Sequence, residues 1–179
     1  MRLMQKKLLL ILFFSATVIS AKAQEKPWQL GAEYMRSIGK GFNSAIIGAR
    51  YETFPSKHSW SAGITYALSS KKSYSSYKGF GLYVGWRYAF AISSSGKGNA
   101  FGGLRFHAAF ENFEGKTNLG SLMFTPMVEM GYQFVFKTHY FAAPSIGYGY
   151  KKKITKESNS LDEDEGGRIL PSLSAGYRF

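Results

Sequence analysis

Eight charged residues occupy positions two apart from small or polar neighbours, and their types suit acid–base or ion-conducting chemistry. Glu33, Arg50, Glu52, Arg87, Arg105, Glu111, Glu129 and Arg178 balance four positive against four negative charges. His107 adds a titratable ring two residues from Arg105 and four before Glu111. Such a set can be a proton or ion path, a gate of exchangeable salt bridges, or a polar plug in a narrow interior. Charges withdrawn from water are tolerated when paired and hydrogen-bonded, and a narrow interior with few waters and no bulk pathway favours the plug. His107 beside Glu111 has the elements of a general base, but a single histidine in this company reads more simply as a network member. His58 and His139 are too far apart along the chain to mark a metal site by spacing, and no cysteine is present. Neither a metal nor a cofactor is expected.

A period of two positions these residues. Eight runs alternate bulky apolar residues with small or polar ones: Trp28–Arg36, Ser44–Phe54, Trp60–Leu68, Gly79–Phe90, Ala100–Glu111, Phe124–Phe136, Tyr140–Tyr150 and Ile169–Phe179. The fourth is the clearest, with Phe80, Leu82, Val84, Trp86, Tyr88 and Phe90 opposing Gly79, Gly81, Tyr83, Gly85, Arg87 and Ala89. Each run approaches the roughly 9–11 residues that a tilted membrane strand requires. A lipocalin-like barrel shares the periodicity but keeps its bulky face inside. Here the bulky face carries Trp, Tyr and Phe, and an eight-stranded barrel has little internal room. The small face is therefore the lumen and the bulky face meets lipid. Aromatics near the run ends suit interfacial girdles. Pro126, Pro144 and Pro171 each remove a ladder donor and weigh against a regular strand there.

The first 23 residues stand apart. Arg2, Lys6 and Lys7 precede the apolar run Leu8–Phe14, and Ala21-Lys22-Ala23 is a small-x-small cleavage pattern, so residues 1–23 read as a signal peptide and 24–179 as the mature domain. The apolar run falls far short of the roughly 20 residues of a helical span. Removing the four basic signal residues leaves 19 basic against 11 acidic, a charge of +8.

The breaks between runs alternate in length. Ser37–Asn43, Ser69–Lys78, Asn112–Met123 and Lys151–Arg168 form the longer set; Pro55–Ser59 and Lys137–His139 are short, and Ile92–Asn99 is intermediate. The longer set is expected outside the cell and the shorter set in the periplasm. The charge surplus gathers on these rims, where basic side chains can meet lipid phosphates. The last outer loop joins Lys151, Lys152 and Lys153 to Asp162, Glu163, Asp164 and Glu165, a basic and an acidic limb that can pair or bind at the surface.

Eight alternating strands ending in Leu173-Ser174-Ala175-Gly176-Tyr177-Arg178-Phe179 resemble the small outer-membrane proteins of the OmpA/OmpX type. The resemblance covers the mature chain as a pattern rather than a residue motif. It implies an all-β, eight-stranded, antiparallel up-and-down transmembrane barrel in the outer membrane of a Gram-negative bacterium. It also implies that Tyr177 and Phe179 signal to the barrel-assembly machinery. Some barrels of this size modify lipid A, the deacylase type using a lipid-facing His and Ser two apart on one strand. His58-Ser59-Trp60-Ser61 is the nearest match, with the wrong spacing and at the expected periplasmic end.

The sequence thus points to a monomeric, non-catalytic structural or surface-interaction barrel with a plugged polar lumen. Its expected partners are outer-membrane lipid and lipopolysaccharide, and not nucleic acid. A narrow channel for small solutes and a lipid A-modifying enzyme are the alternatives. Intact-mass measurement of protein recovered from the cell envelope should give a chain beginning at Gln24; retention of residues 1–23 would contradict the processing.

Overall fold

Side chains in a strand point alternately to opposite faces, so a strict two-residue alternation separates a lipid-compatible surface from a compact one. The computed structural model describes residues 27–39, 43–54, 57–68, 71–72, 75–92, 98–113, 120–154 and 165–179. The expected signal peptide and residues Asp162, Glu163 and Asp164 lie outside them. The described strands are β1 (Trp28–Gly39), β2 (Ser44–Thr53), β3 (His58–Leu68), β4 (Lys71–Lys72), β5 (Ser75–Ile92), β6 (Gly98–Phe113), β7 (Gly120–Phe136), β8 (Tyr140–Lys153) and β9 (Gly166–Arg178). All pairings are antiparallel.

Eight of these strands are the staves of a closed barrel. Neighbours in sequence pair from β5 to β9, β9 pairs β1, β1 pairs β2, and β3 closes the wall on β5. β4 is a two-residue extension that pairs with β5 at Ser75 and Ser76, inside a stretch that composition reads as loop. The strands of the far half are longer than their apolar runs: β5 begins at Ser75, β6 reaches Phe113 and β7 starts at Gly120. Backbone pairing between neighbours continues past the apolar belt because it does not depend on side-chain polarity. We refer to the end carrying Trp28 and Phe179 as the terminal end, and to the opposite one as the far end.

Register fixes how the interior is built. From Gln29 the paired residues run through Glu52, Ser61, Gly85, Arg105, Met127, Gly149 and Arg168 and return to β1 at Gly39, ten residues from the start. That stagger requires strands tilted by about 40° to the barrel axis. The prolines are absorbed as local gaps. The β7–β8 register skips Thr125–Pro126 and again Tyr132–Gln133, which face Pro144 and Ala143, and the β1–β9 register skips Arg36–Ser37, which face Pro171 and Leu170, with the same offset resuming each time. At the terminal end Phe136 and Tyr140 pair across a tight turn in which Lys137 and Thr138 have φ of 47° and 65°.

The outer wall is apolar. Phe90 and Met130 are each 63% exposed, and residues such as Leu82, Val84, Phe110 and Ile146 extend the band round the barrel. A continuous apolar surface of this kind is compatible with lipid and not with water. Aromatic pairs gather at the terminal end: Phe179 stacks on Trp28 at 3.9 Å, and Tyr177 packs edge-on against Tyr140 and Phe179. The Phe179 amide donates to the Trp28 carbonyl, fastening β9 to β1.

Inside, large side chains lie across glycines of the adjoining strand or of the next strand but one. A Cβ at Gly31 would fall 2.8 Å from Phe141 Cζ, and one at Gly131 would fall 2.7 Å from Phe101 Cζ. At Gly63 a Cβ would enter the space of the Tyr83 ring. These glycines are required for volume. Two adjacent substitutions separate the faces: Gly63→Val should lower the stability of the refolded barrel by about 1–3 kcal/mol, whereas Ala62→Val, on the exposed face, should stay within about 0.5 kcal/mol. Urea titration in detergent would measure both, and equal effects would contradict the facing.

Candidate functional site

Six of the charged residues form a closed ring of alternating sign across the bore. Glu52 on β2 accepts from Arg50 of the same strand, at 2.9 Å from Nη2 and 3.1 Å from Nε. Arg50 Nη1 lies 3.8 Å from Glu33 Oε1 on β1. The same Glu33 oxygen accepts from Arg105 Nη1 of β6 at 2.7 Å. Arg105 Nη2 donates to Glu129 Oε2 of β7 at 2.8 Å, and Glu129 Oε1 accepts from Arg87 Nε of β5 at 2.6 Å. Arg87 Nη1 then stands 3.6 Å from Glu52 Oε2, which closes the circuit. Every member is buried, Arg50 and Arg105 to 1% exposure and Glu52 to 0%.

Neutral partners hold the ring in place. Ser59 on β3 donates to Glu52 Oε1 at 2.6 Å, and Gln29 donates to Glu52 Oε2 at 2.8 Å. Gln29 in turn accepts from Gln133 at 3.1 Å. The Arg87 guanidinium lies over Phe101 at 4.0 Å and that of Arg105 over Tyr83 at 4.6 Å, faces that favour a cation.

The inward residues of each strand show that the interior is stratified. On β7 the order from the terminal end is Gln133, Glu129, Met127, Thr125 and Met123; on β9 it is Arg178, Ser174, Leu170 and Arg168. Beyond the ring, Met35, Ile46, Ala67, Met127 and Leu170 form a buried apolar layer. Below it, Phe101, Phe141 and Ala143 form a second cluster. The charged ring is therefore covered toward the far end by an apolar layer, while toward the terminal end Phe101, Phe141 and Ala143 share its border with Gln29, Gln133 and Ser59, an arrangement that the expectation of a mostly small inner face did not include. Its signal was the glycine facing each of Tyr83, Phe101 and Phe141, which only the register reveals.

The remaining predicted residues are placed elsewhere. His107 is buried and its Nε2 meets Thr65 Oγ1 at 2.7 Å, on the far side of the ring. Glu111 is buried near the far end, where Lys151 Nζ reaches within 2.8 Å. Lys151 was expected in the outer loop; it belongs to β8, faces inward and is 7% exposed. Arg168, also read as a loop residue, lies on β9 and is 1% exposed. Both corrections have one cause: continued strand pairing carries their alternation beyond the apolar belt. Arg178 shares the inner face but stands apart from the ring, half-buried at the terminal end with its guanidinium 5.2 Å from the Phe54 ring centre. Lys152 is exposed, and the Lys153 amide donates to Glu165 Oε1 at 2.8 Å. Among the described residues no group of His, Cys, Asp and Glu side chains could hold a metal ion.

This geometry limits the chemistry. A proton path needs groups that accept and release protons in turn, and an arginine does not release its proton in proteins. Three arginines interrupt any relay through the ring, and each carboxylate faces a guanidinium.

Solved structures of known proteins share this architecture. Neisserial surface protein A matches with a TM-score of 0.62 at 14% identity, covering 86% of this chain and 95% of its own. The N-terminal β-barrel domain of Pseudomonas aeruginosa OprF gives 0.57 at 13%, over 87% and 100%. Ail, the attachment invasion locus protein of Yersinia pestis, in complex with the heparin analogue sucrose octasulfate, gives 0.52 at 16%, over 87% and 100%. The chain has the fold of an eight-stranded outer-membrane barrel. No family model and no curated protein matches the sequence.

Removing one member of the ring strands a buried partner. Arg105→Ala leaves Glu33 and Glu129 short of a cation and should cost about 3–5 kcal/mol, against about 0.5 kcal/mol or less for Lys152→Ala. Equal shifts in the urea midpoint would contradict the ring.

Proposed function

We propose that this protein is a non-catalytic barrel of the Gram-negative outer membrane, closed to solute flow by its own interior, that contacts the cell-surface environment with its far end. The observation that carries the reading is the ring of three arginines and three glutamates, buried and closed on itself, beneath an apolar layer. A solute crossing the bore would have to break several charge-assisted bonds at once and then pass Met35, Met127 and Leu170. The terminal end would face the periplasm and the far end the exterior.

Surface contact then falls to the far rim. Arg36 and Lys152 are exposed there, and each cation near an anionic membrane surface contributes about 1 kcal/mol. The phosphates of lipopolysaccharide are the partner we assign to them. Ail, a barrel of the same fold, has been crystallised with a sulfated heparin analogue, which supports a polyanion-facing rim as a use of this architecture. Asp162, Glu163 and Asp164 of the last loop lie outside the described residues and carry no part of this reading.

Planar-bilayer recording of the refolded protein tests the closed bore. No stepwise conductance is expected from the unaltered chain, and sustained openings would favour the narrow channel. The rim is tested by the lipopolysaccharide that copurifies in mild detergent: Arg36→Ala combined with Lys152→Ala should weaken its retention roughly thirtyfold, from about 2 kcal/mol of lost attraction. Unchanged retention would remove the rim from the function. Altered lipid A by mass spectrometry, in cells carrying the protein, would contradict the non-catalytic reading.

A further inference from the structure

At the terminal end the barrel opens inward on a chamber of about 220 Å³ whose lining includes Arg178, Lys57, Asn99, Gln133, Ser59 and Arg87. Its charge is unlike that of the ring. Arg50, Arg87 and Arg105 are matched by Glu33, Glu52 and Glu129. The carboxylate that reaches the chamber, Glu52, is already committed to Arg50, Gln29 and Ser59. Arg178 and Lys57 have no carboxylate partner among the described residues. The lining thus holds two surplus cations in a concave, polar recess.

The side chains are also set for recognition. Arg178 lies over the Phe54 ring at 5.2 Å, which orients its planar fork instead of leaving it to sweep through solvent. At the floor, Arg87 Nη1 makes no hydrogen bond, its ion pair with Glu52 Oε2 being 3.6 Å long, while Arg87 Nε is engaged by Glu129. Asn99 and Gln133 add amide groups capable of donating. We propose that this chamber binds a small oxyanion, a free phosphate or a short carboxylate, with Arg178 as its principal ligand and Lys57 as a supporting charge. The size argues for a small ion: drug-sized ligands occupy pockets of roughly 300–1,000 Å³. The lining comes from inward-facing and mouth residues rather than from the lipid-facing wall, which favours a dissolved ion over a lipid headgroup.

The chamber and the rim invoked for surface contact are at opposite ends, so either can fail without the other. The test uses the full mature chain, ¹⁵N-labelled and refolded in phosphate-free maltoside micelles, titrated separately with inorganic phosphate and with succinate. Saturable shifts are expected in the Arg178 Nε–H and in the side-chain amides of Asn99 and Gln133 for at least one of the two ions. Arg178→Ala should raise the midpoint by about tenfold or more, the loss of one charged hydrogen bond. Lys57→Glu, on an exposed turn outside the strands, should raise it as well, so the test survives if the strand variant does not assemble. Lys137→Ala, a cation exposed at the same end but outside the lining, should leave it unchanged. Linear, unsaturated shifts with both ions would overturn the proposal, and so would a midpoint indifferent to both Arg178→Ala and Lys57→Glu.

Discussion

A guanidinium buried in a narrow bore requires a carboxylate against it, and three guanidiniums at one level require three. That requirement organises the interior. Arg50, Arg87 and Arg105 come from three strands, and Glu33, Glu52 and Glu129 bring in two more, so satisfying the charges ties five staves together. The apolar layer toward the far end and the rings of Tyr83 and Phe101 keep the charges in surroundings of low polarity, where their mutual attraction is greater than in water. They also make the loss of any one member expensive, since each partner left behind keeps one buried counter-ion where it had two. The glycines belong to the same logic. Gly63, Gly31 and Gly131 leave room for Tyr83, Phe141 and Phe101, and two of those rings, Tyr83 and Phe101, lie against ring arginines.

Much of this was legible in the sequence because a two-residue period needs no knowledge of neighbours. Alternation assigned Glu33, Arg50, Glu52, Arg87, Arg105 and Glu129 to one face, and the bulk of Phe80, Leu82 and Val84 assigned the other face to lipid. What alternation cannot express is height. Adjacent strands with the same facing suggest Glu129 for Arg105 and Glu33 for Arg50, and both contacts form; that Arg105 also meets Glu33 depends on the ten-residue stagger around the wall, which resides in pairings between strands. The same blindness hid the Arg50–Glu52 contact along one strand and the closure through Arg87.

Composition misled at the far end for a different reason. Lys151 and Arg168 sit in stretches whose lysines, serines and glycines look like loop, yet paired backbones extend through them and turn both side chains inward. Their neighbour Lys152, one position away, remains outside. A polar sequence beyond the membrane belt therefore says little about whether the strand has ended, and the facing of each residue there is set by parity with the strand below.

The ring takes no member from β8 or β9. Near its level those strands present Ser145, Ser172 and Ser174, side chains too short to reach across. The same hairpin is bordered on one side by the β7–β8 ladder, interrupted near Pro126 and Pro144, and on the other by the β9–β1 ladder, interrupted near Pro171. Its own internal register, from Tyr140–Tyr177 to Lys151–Gly166, is unbroken. At the level of the ring the wall is thus unevenly braced: ion pairs cross-link the arc from β1 through β7, while the β8–β9 panel is tied across the bore nearer the far end, where Lys151 meets Glu111. A distortion of the wall at that level therefore has fewer ion pairs to break in the β8–β9 panel than in the arc that carries the ring.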